Sequence, residues 1–496
     1  MCLWKMTTYM RWAIAAGGLI YVVAARAERE NAGPLATAIR GPAAKWDLDT
    51  YLNHVSENNA LVKAAHLQKE AATLKKHQGD LQELSPFLAG EGAYLNDSQE
   101  TQMPAQQGTR TRVKAYSLGV SKKFSTGTTV SLGWGQTHTD ITGTTFMTPN
   151  WESKYTLGVS QSLWKDGFGR AVGLRHEREE AQERVAVLSA ELQARQALID
   201  AESAYWDLTV QILDRQEKAD ALKRAEKIAA WTKRRLDSGI GDRADRLQVE
   251  SLIASRRLAQ IGGEDSFEAA RKRVVDALGT DDVQIADVKP EVLTQERTLK
   301  SEGEGEPRRL DIWIQDYAAK ISDTAARETD EMMKPDLSLQ GVYGANARDA
   351  KIGTSSSDAF ASDTDMYRVG LKFSMSLDFG LKSDLRAAAA AESKAARLKS
   401  DKISRDAATS WAELVRRHHE ISASIQAMET LVKAQEAQLA REQERLSVGR
   451  TTTFQVISFE QSVADTRFSL LQLRAQQRKL EAASRLYVSQ SAVEAL

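Results

Sequence analysis

The sequence predicts an α+β membrane protein built from an internal duplication, in which long coiled-coil helices continue into a β-barrel shared between copies. Three observations carry the prediction. A proline-free run keeps a seven-residue apolar beat, a second such run ends in the same phrase, and the strands between the helical runs have two faces of opposite character.

In residues 387–446, Trp411, Leu414, His418, Ile421, Ile425, Met428 and Val432 follow Ala407 at alternating steps of four and three, with Leu439 and Leu446 on later heptads. That spacing is a coiled-coil seam. At ~1.5 Å per residue, a helix over 381–447 reaches about 100 Å, more than any single core needs. Residues 169–235 form its twin, with Leu198, Ala201, Tyr205, Leu208 and Ile212 on the same spacing. The first run closes on Arg235, Leu236, Asp237, Ser238 and Gly239, the second on Arg445, Leu446, Ser447, Val448 and Gly449. Two long rods that close on the same short phrase mark a duplication. All the prolines lie outside these rods and the helices that return from them, as expected where proline would remove a hydrogen bond and clash with the preceding turn.

With 27% charged and only 6% aromatic residues, the 496-residue chain suits long helices better than one thick core. Lys5 and Arg11 precede an apolar run over 12–25, and Ala25, Arg26 and Ala27 offer a small-x-small cleavage site, so residues 1–27 read as a signal peptide. Cys2, the one cysteine, leaves with it, and the exported chain must be held by packing or oligomerisation. Residues 28–45 read as a tether. Residues 46–278 form a first repeat of helix, strands and long helical hairpin, and 308–490 form a second. A mixed linker at 279–307 joins them, and 491–496 are a tail. One helix is expected over 46–83, ended by Ser85 and Pro86. Return helices are expected over 242–278 and 452–488, so that each rod is matched by two shorter helices stacked end to end.

The strands alternate with period two. Tyr116, Leu118 and Val120 alternate with Ser117 and Gly119, Val130, Leu132 and Trp134 with Ser131 and Gly133, and Tyr155, Leu157 and Val159 with Thr156 and Gly158. In the second half Tyr367, Val369, Leu371, Phe373, Met375 and Leu377 alternate with Arg368, Gly370, Lys372, Ser374 and Ser376. A lipid-spanning strand needs about 9–11 residues, and hydrocarbon tolerates no open sheet edge. Four to six such strands cannot enclose a pore alone, so copies must share one barrel. The first half is longer than the second between its first strand and its rod, and the hairpin over 112–138 accounts for the surplus.

A net charge of −1 argues against a nucleic-acid partner. No nucleophile-and-base motif, phosphate loop or cysteine pair is present, so neither enzyme nor cofactor is expected. His418 and His419 read as a seam residue and its outward neighbour rather than metal ligands. The heptads also suit a periplasmic coiled-coil adaptor or scaffold protein. An adaptor, however, needs one helical hairpin and compact β-domains, whereas both halves here hold a hairpin and amphipathic strands.

On the two tip phrases, and on the strand-to-rod junctions Asp166, Gly167, Phe168, Gly169 and Asp378, Phe379, Gly380, the chain resembles the TolC family of outer-membrane efflux proteins over residues 46–490. The resemblance implies a homotrimer in the outer membrane of a Gram-negative bacterium, its β-barrel continuous with a periplasmic α-helical coiled-coil barrel. It further implies an exit duct for efflux or type I secretion, joined through a periplasmic adaptor to an inner-membrane transporter. By the same resemblance Arg235, Leu236, Gly239, Arg445, Leu446 and Gly449 form the tips that meet the adaptor, and Asp245, Gln455 and Ser458 line an entrance constriction. Better-known members carry aspartates where Gln455 and Ser458 stand here, so this ring would be neutral. Asp245 keeps an acid in the first half, flanked by Arg243 and Arg246.

Overall fold

The computed structural model describes residues 47–489 apart from 77, 145–147, 240–241, 280–298, 300–307 and 362–363, together with 491 and 493. The expected signal peptide and tether, almost all of the linker and most of the tail lie outside the described residues.

The chain opens with α1 (Leu48–Asn58), α2 (Ala60–Leu74) and α3 (Gln78–Glu83), followed by β1 (Phe87–Asp97). The single helix expected over 46–83 is therefore broken, and Asn59 explains the first break. Its Oδ1 accepts the amides of Leu61 at 2.9 Å and Val62 at 3.3 Å to start α2, while its Nδ2 donates to the Ala277 carbonyl at 2.8 Å. One side chain caps two helix ends.

Then come α4 (Pro104–Gln107), β2 (Arg110–Lys123), β3 (Thr128–Thr142), β4 (Asn150–Ser162), the first rod α5 (Arg170–Asp237) and its return α6 (Arg243–Leu278). The second half runs β5 (Arg308–Arg309), α7 (Leu310–Met332), β6 (Asp336–Asp349), α8 (Ile352–Ala361), β7 (Asp365–Ser374), the second rod α9 (Phe379–Ser447), α10 (Thr453–Ala483) and β8 (Tyr487–Val488). Nothing in the heptad or strand patterns anticipates α8. The strand expected over 366–378 stops at Ser374, because Asp378 turns to cap the second rod, its Oδ1 accepting the Leu381 amide at 2.9 Å.

The helices build a single-layer wall of four columns. The first rod has α2 and α6 on one side and α7 and α10 on the other, and the second rod packs against α7 and α10. Helices α2 and α6 meet end to end at Asn59, over a core of Tyr51, Val55, Tyr205, Leu208, Val274 and Leu278. Helices α7 and α10 meet through a two-residue ladder, Arg308 with Val488 and Arg309 with Tyr487. Along the second rod Ala407, Leu414, Ile421, Ile425, Val432 and Leu446 are buried, which is the seam the heptads predict. His418 sits on that seam facing Glu481 of α10, and His419 is exposed.

The remaining strands form one antiparallel sheet in the order β1-β2-β3-β4-β6-β7. The surplus hairpin is the β2–β3 pair, inserted between β1 and β4 rather than looped away from the sheet. It is seated on the junction below. The Lys123 ammonium pairs with Glu83 at 2.6 Å and Asp166 at 2.8 Å, while Asp166 Oδ1 accepts the Ala171 amide at 2.9 Å to start the rod. Nearby, Asp80, His176 and Glu179 lie close enough to share a cation, but the Arg175 guanidinium already pairs with Asp80 and Glu83. Burial opposes ionisation of Asp80, yet His176 and Arg175 together hold its carboxyl below the usual range.

Because Asn59 caps two helices, Asn59→Ala is expected to cost about 2 kcal/mol in stability, the upper end for a single cap. Asn59→Asp keeps the cap of α2, so it is expected to cost less. Thermal unfolding of the purified variants checks the order.

Candidate functional site

The sheet carries the most unusual chemistry of the molecule. Leu88, Val120, Leu132, Leu157, Tyr343 and Tyr367 are directly paired from strand to strand and so form one unbroken apolar row across all six. Tyr367 is 82% exposed and Val369 73%. Water-soluble monomers rarely expose contiguous apolar patches larger than a few hundred Å², so a row of this length across six strands calls for a partner surface.

The opposite face is mostly small and polar, with Leu95, Val113, Val342 and Met366 among its apolar exceptions. Ala89, Gly119, Gly133, Thr156 and Gly344 form its central row, with Glu91, Ser117, Gly135, Lys154 and Asn346 beside it. Side chains crowd on this face: a Cβ on Gly133 would lie 2.6 Å from Thr156 Oγ1, and one on Gly158 2.5 Å from Ser131 Oγ. Crowding is what the concave side of a curved sheet shows. Some of its charges are paired within the face: Glu152 accepts from Asn346 at 3.0 Å and from Arg348 at 2.9 Å.

Beyond the row Gln136 and Ser153 interrupt the apolar face, and α8 covers both; toward the strand ends Lys114 and His138 also stand on it. Gln136 Nε2 donates to Ser153 Oγ at 3.0 Å and Ser356 Oγ at 2.7 Å, and Ser153 and Ser355 share a 2.7 Å hydroxyl contact. Phe360 lies on Tyr155 with ring centroids 4.1 Å apart. The gap in the face is thus closed by hydrogen bonds and capped with an aromatic ring.

At the far end of the wall the two rods stop in the same way. Gly239 and Gly449 both take φ +73°, the left-handed conformation in which glycine ends a helix without strain. Their amides donate to Leu236 at 2.9 Å and Leu446 at 3.0 Å. Asp242 then caps α6 through the Ala244 amide, and Thr452 caps α10 through the Gln455 amide. Arg235 lies over the Trp231 ring at 4.8 Å, and Arg445 is tied to Glu442 at 2.8 Å. Leu446 is only 6% exposed, so it forms the floor of a groove of about 380 Å³ lined also by Arg224, Ile228, Trp231 and Val456. Among the described residues around the tips, Val448 at 66%, Leu247 at 66% and Phe454 at 65% are exposed apolar groups. Val448 stands inside the repeated tip phrase, so its place beside the turn glycine was the signal for it.

Asp245 is half-buried in the first turn of α6, whereas Gln455 and Ser458 are exposed at the start of α10. Among the described residues no hydrogen bond or ion pair joins them within one copy. Arg246 turns to Glu250 at 2.8 Å rather than to Asp245. Above the groove a chain of charges ties three columns together. Arg224 bridges Glu460 at 2.5 Å and Glu217 at 2.8 Å, and Arg467 continues from Glu217 at 3.1 Å to Glu436 at 2.5 Å. Glu460 is almost fully buried, so loss of Arg224 would strand a charge.

No protein-family profile and no curated protein matches the sequence. Solved structures do match. CusC, whose crystal structures concern folding and transmembrane channel formation, gives a TM-score of 0.66 at 14% identity over 90% of this chain and 98% of that one. VceC, an outer membrane protein of Vibrio cholerae, gives 0.66 at 15% identity over 88% and 94% of the two chains. The CmeC outer membrane channel of Campylobacter jejuni gives 0.63 at 12% identity over 88% and 85%. At these identities the likeness is one of fold, and the chain carries the fold of the TolC-like outer-membrane channels.

Proposed function

We propose that this protein is the outer-membrane channel-tunnel of a tripartite efflux or type I secretion system, passing substrates from a periplasmic adaptor and an inner-membrane pump to the exterior. The observation that carries the reading is the unbroken apolar row across six strands, backed by a face of mostly small and polar residues. Hydrocarbon takes the first face and a water-filled lumen the second. Among the described residues no helix is long and apolar enough to cross a membrane; in this reading the apolar face of the sheet is what meets lipid.

One copy cannot close a barrel, and the helical wall supports the same need. Its two end columns expose Leu61, Leu67, Leu258 and Ile261 on one side and Leu398 and Leu431 on the other. In a homotrimer, which the resemblance implies, each end column covers that of the next copy. The periplasmic tips would then receive the adaptor on Val448 and Phe454, around Arg235, Leu236, Gly239, Arg445 and Gly449, with Leu446 as the floor of the adjoining groove.

Such a duct makes and breaks no bonds. It works by access and field. Asp245 brings one carboxylate per copy to the entrance, while Gln455 and Ser458 bring none, so the second half of the ring is neutral. The rival reading, a periplasmic adaptor or coiled-coil scaffold, requires β-domains that bury their apolar faces, and the exposed row is unfavourable to it.

Outer-membrane fractions of cells expressing the chain are expected to hold it as a multi-copy species, whereas a soluble periplasmic monomer would overturn the reading. Gln455→Asp in the reconstituted pore is expected to shift the reversal potential toward cations. An unchanged potential would remove Gln455 from the entrance.

A further inference from the structure

We propose that all six strands of each copy enter the barrel wall, so that a three-copy assembly closes eighteen strands and stays as wide as its helical tunnel. The inference rests on the channel reading and concerns the width and composition of its mouth.

Arc length is the first argument. Four helical columns at a spacing of about 9.5 Å occupy about 38 Å of circumference per copy. Six strands about 4.8 Å apart, tilted by about 40° to the barrel axis, also occupy about 38 Å. Four strands would fill only about 25 Å. The two arcs therefore match only when β2 and β3 are counted, and this holds for any number of copies.

The edges supply the second argument. Six alternating strands leave β1 and β7 running in opposite directions, so β7 of one copy meets β1 of the next as an antiparallel pair. These edge strands have 11 and 10 residues, nearly equal and shorter than the strands between them. Their polar faces are complementary as well, with Glu91 on one edge and Arg368 and Lys372 on the other.

The third argument is that the hairpin is built into its base. Its turn at Ser125, Thr126 and Gly127 lies against the strand-to-rod junction so closely that a Cβ on Gly169 would stand 1.7 Å from the Ser125 carbonyl oxygen. Gly127 in turn would meet Gly169 N at 2.9 Å, and its carbonyl accepts the Ser162 amide at 3.2 Å. Together with the Lys123 pairs, these contacts fix β2 and β3 in register with the strands that lead into the rod. A hairpin folded away on the outer surface would have no such seat.

Single-particle imaging of the full chain in lipid nanodiscs tests this by counting strands. Eighteen strands, with 110–142 in the ring, is the expected result. A ring of twelve strands with 110–142 packed outside it would overturn the inference while leaving the channel reading intact, whereas a lone copy without a ring would overturn both. A variant lacking residues 100–147 joins β1 to β4 through a short turn and keeps the alternation of direction. Its barrel diameter is expected to fall by about one third, and an unchanged diameter would count against the hairpin as part of the wall.

Discussion

The unpaired backbone along the two rims of a six-stranded sheet is the constraint on which this molecule depends. In water those amides and carbonyls would find partners, but in hydrocarbon each unmatched group costs several kcal/mol. The apolar face asks for lipid and the rims forbid a solitary copy from entering it. In the proposed ring both demands are met, because rim pairs with rim. The helical part fits the same proposed arrangement, since a wall of columns around a lumen has no central core and is stabilised by seams between neighbours. That is why heptads, end-to-end helix joints and charge bridges carry the stability that a globular protein draws from its interior.

Most of this was legible in the residues, for identifiable reasons. The heptads of the second rod survive as the buried row from Ala407 to Leu446 because a coiled-coil seam is a local periodicity that no distant contact overrides. The two-residue alternation of the strands survives because register fixes which side chains share a face. Other features are set by contacts remote in sequence. Asn59 breaks the first helix to cap one through Ala277, 218 residues later, and no local signal in residues 46–83 demands that. Helix α8 has little periodicity of its own. It forms where Ser355 and Ser356 find Ser153 and Gln136 on the sheet, partners that only the folded chain brings near.

The tips show the same division between local and distant causes. Both glycine turns follow from the repeated phrase, and each adopts the same backbone angle. The exposure of their neighbours does not follow. Leu446 keeps its seam position and is buried, while Val448 and Phe454, which sit off the seam, turn outward. Likewise Arg246 takes Glu250 one helical turn away instead of shielding Asp245, because pairs four residues apart face each other on a helix.

Site-by-site labelling along β7 tests the account at its centre, and with Cys2 the one native cysteine it needs little engineering. Nitroxides placed singly at residues 367 to 373 in membrane-embedded protein should alternate. Those replacing Tyr367, Val369, Leu371 and Phe373 should collide with oxygen dissolved in lipid, and those replacing Arg368, Gly370 and Lys372 with a water-soluble nickel complex. Uniform access to the nickel complex along the whole strand would mean that this face never meets lipid, and would contradict the account.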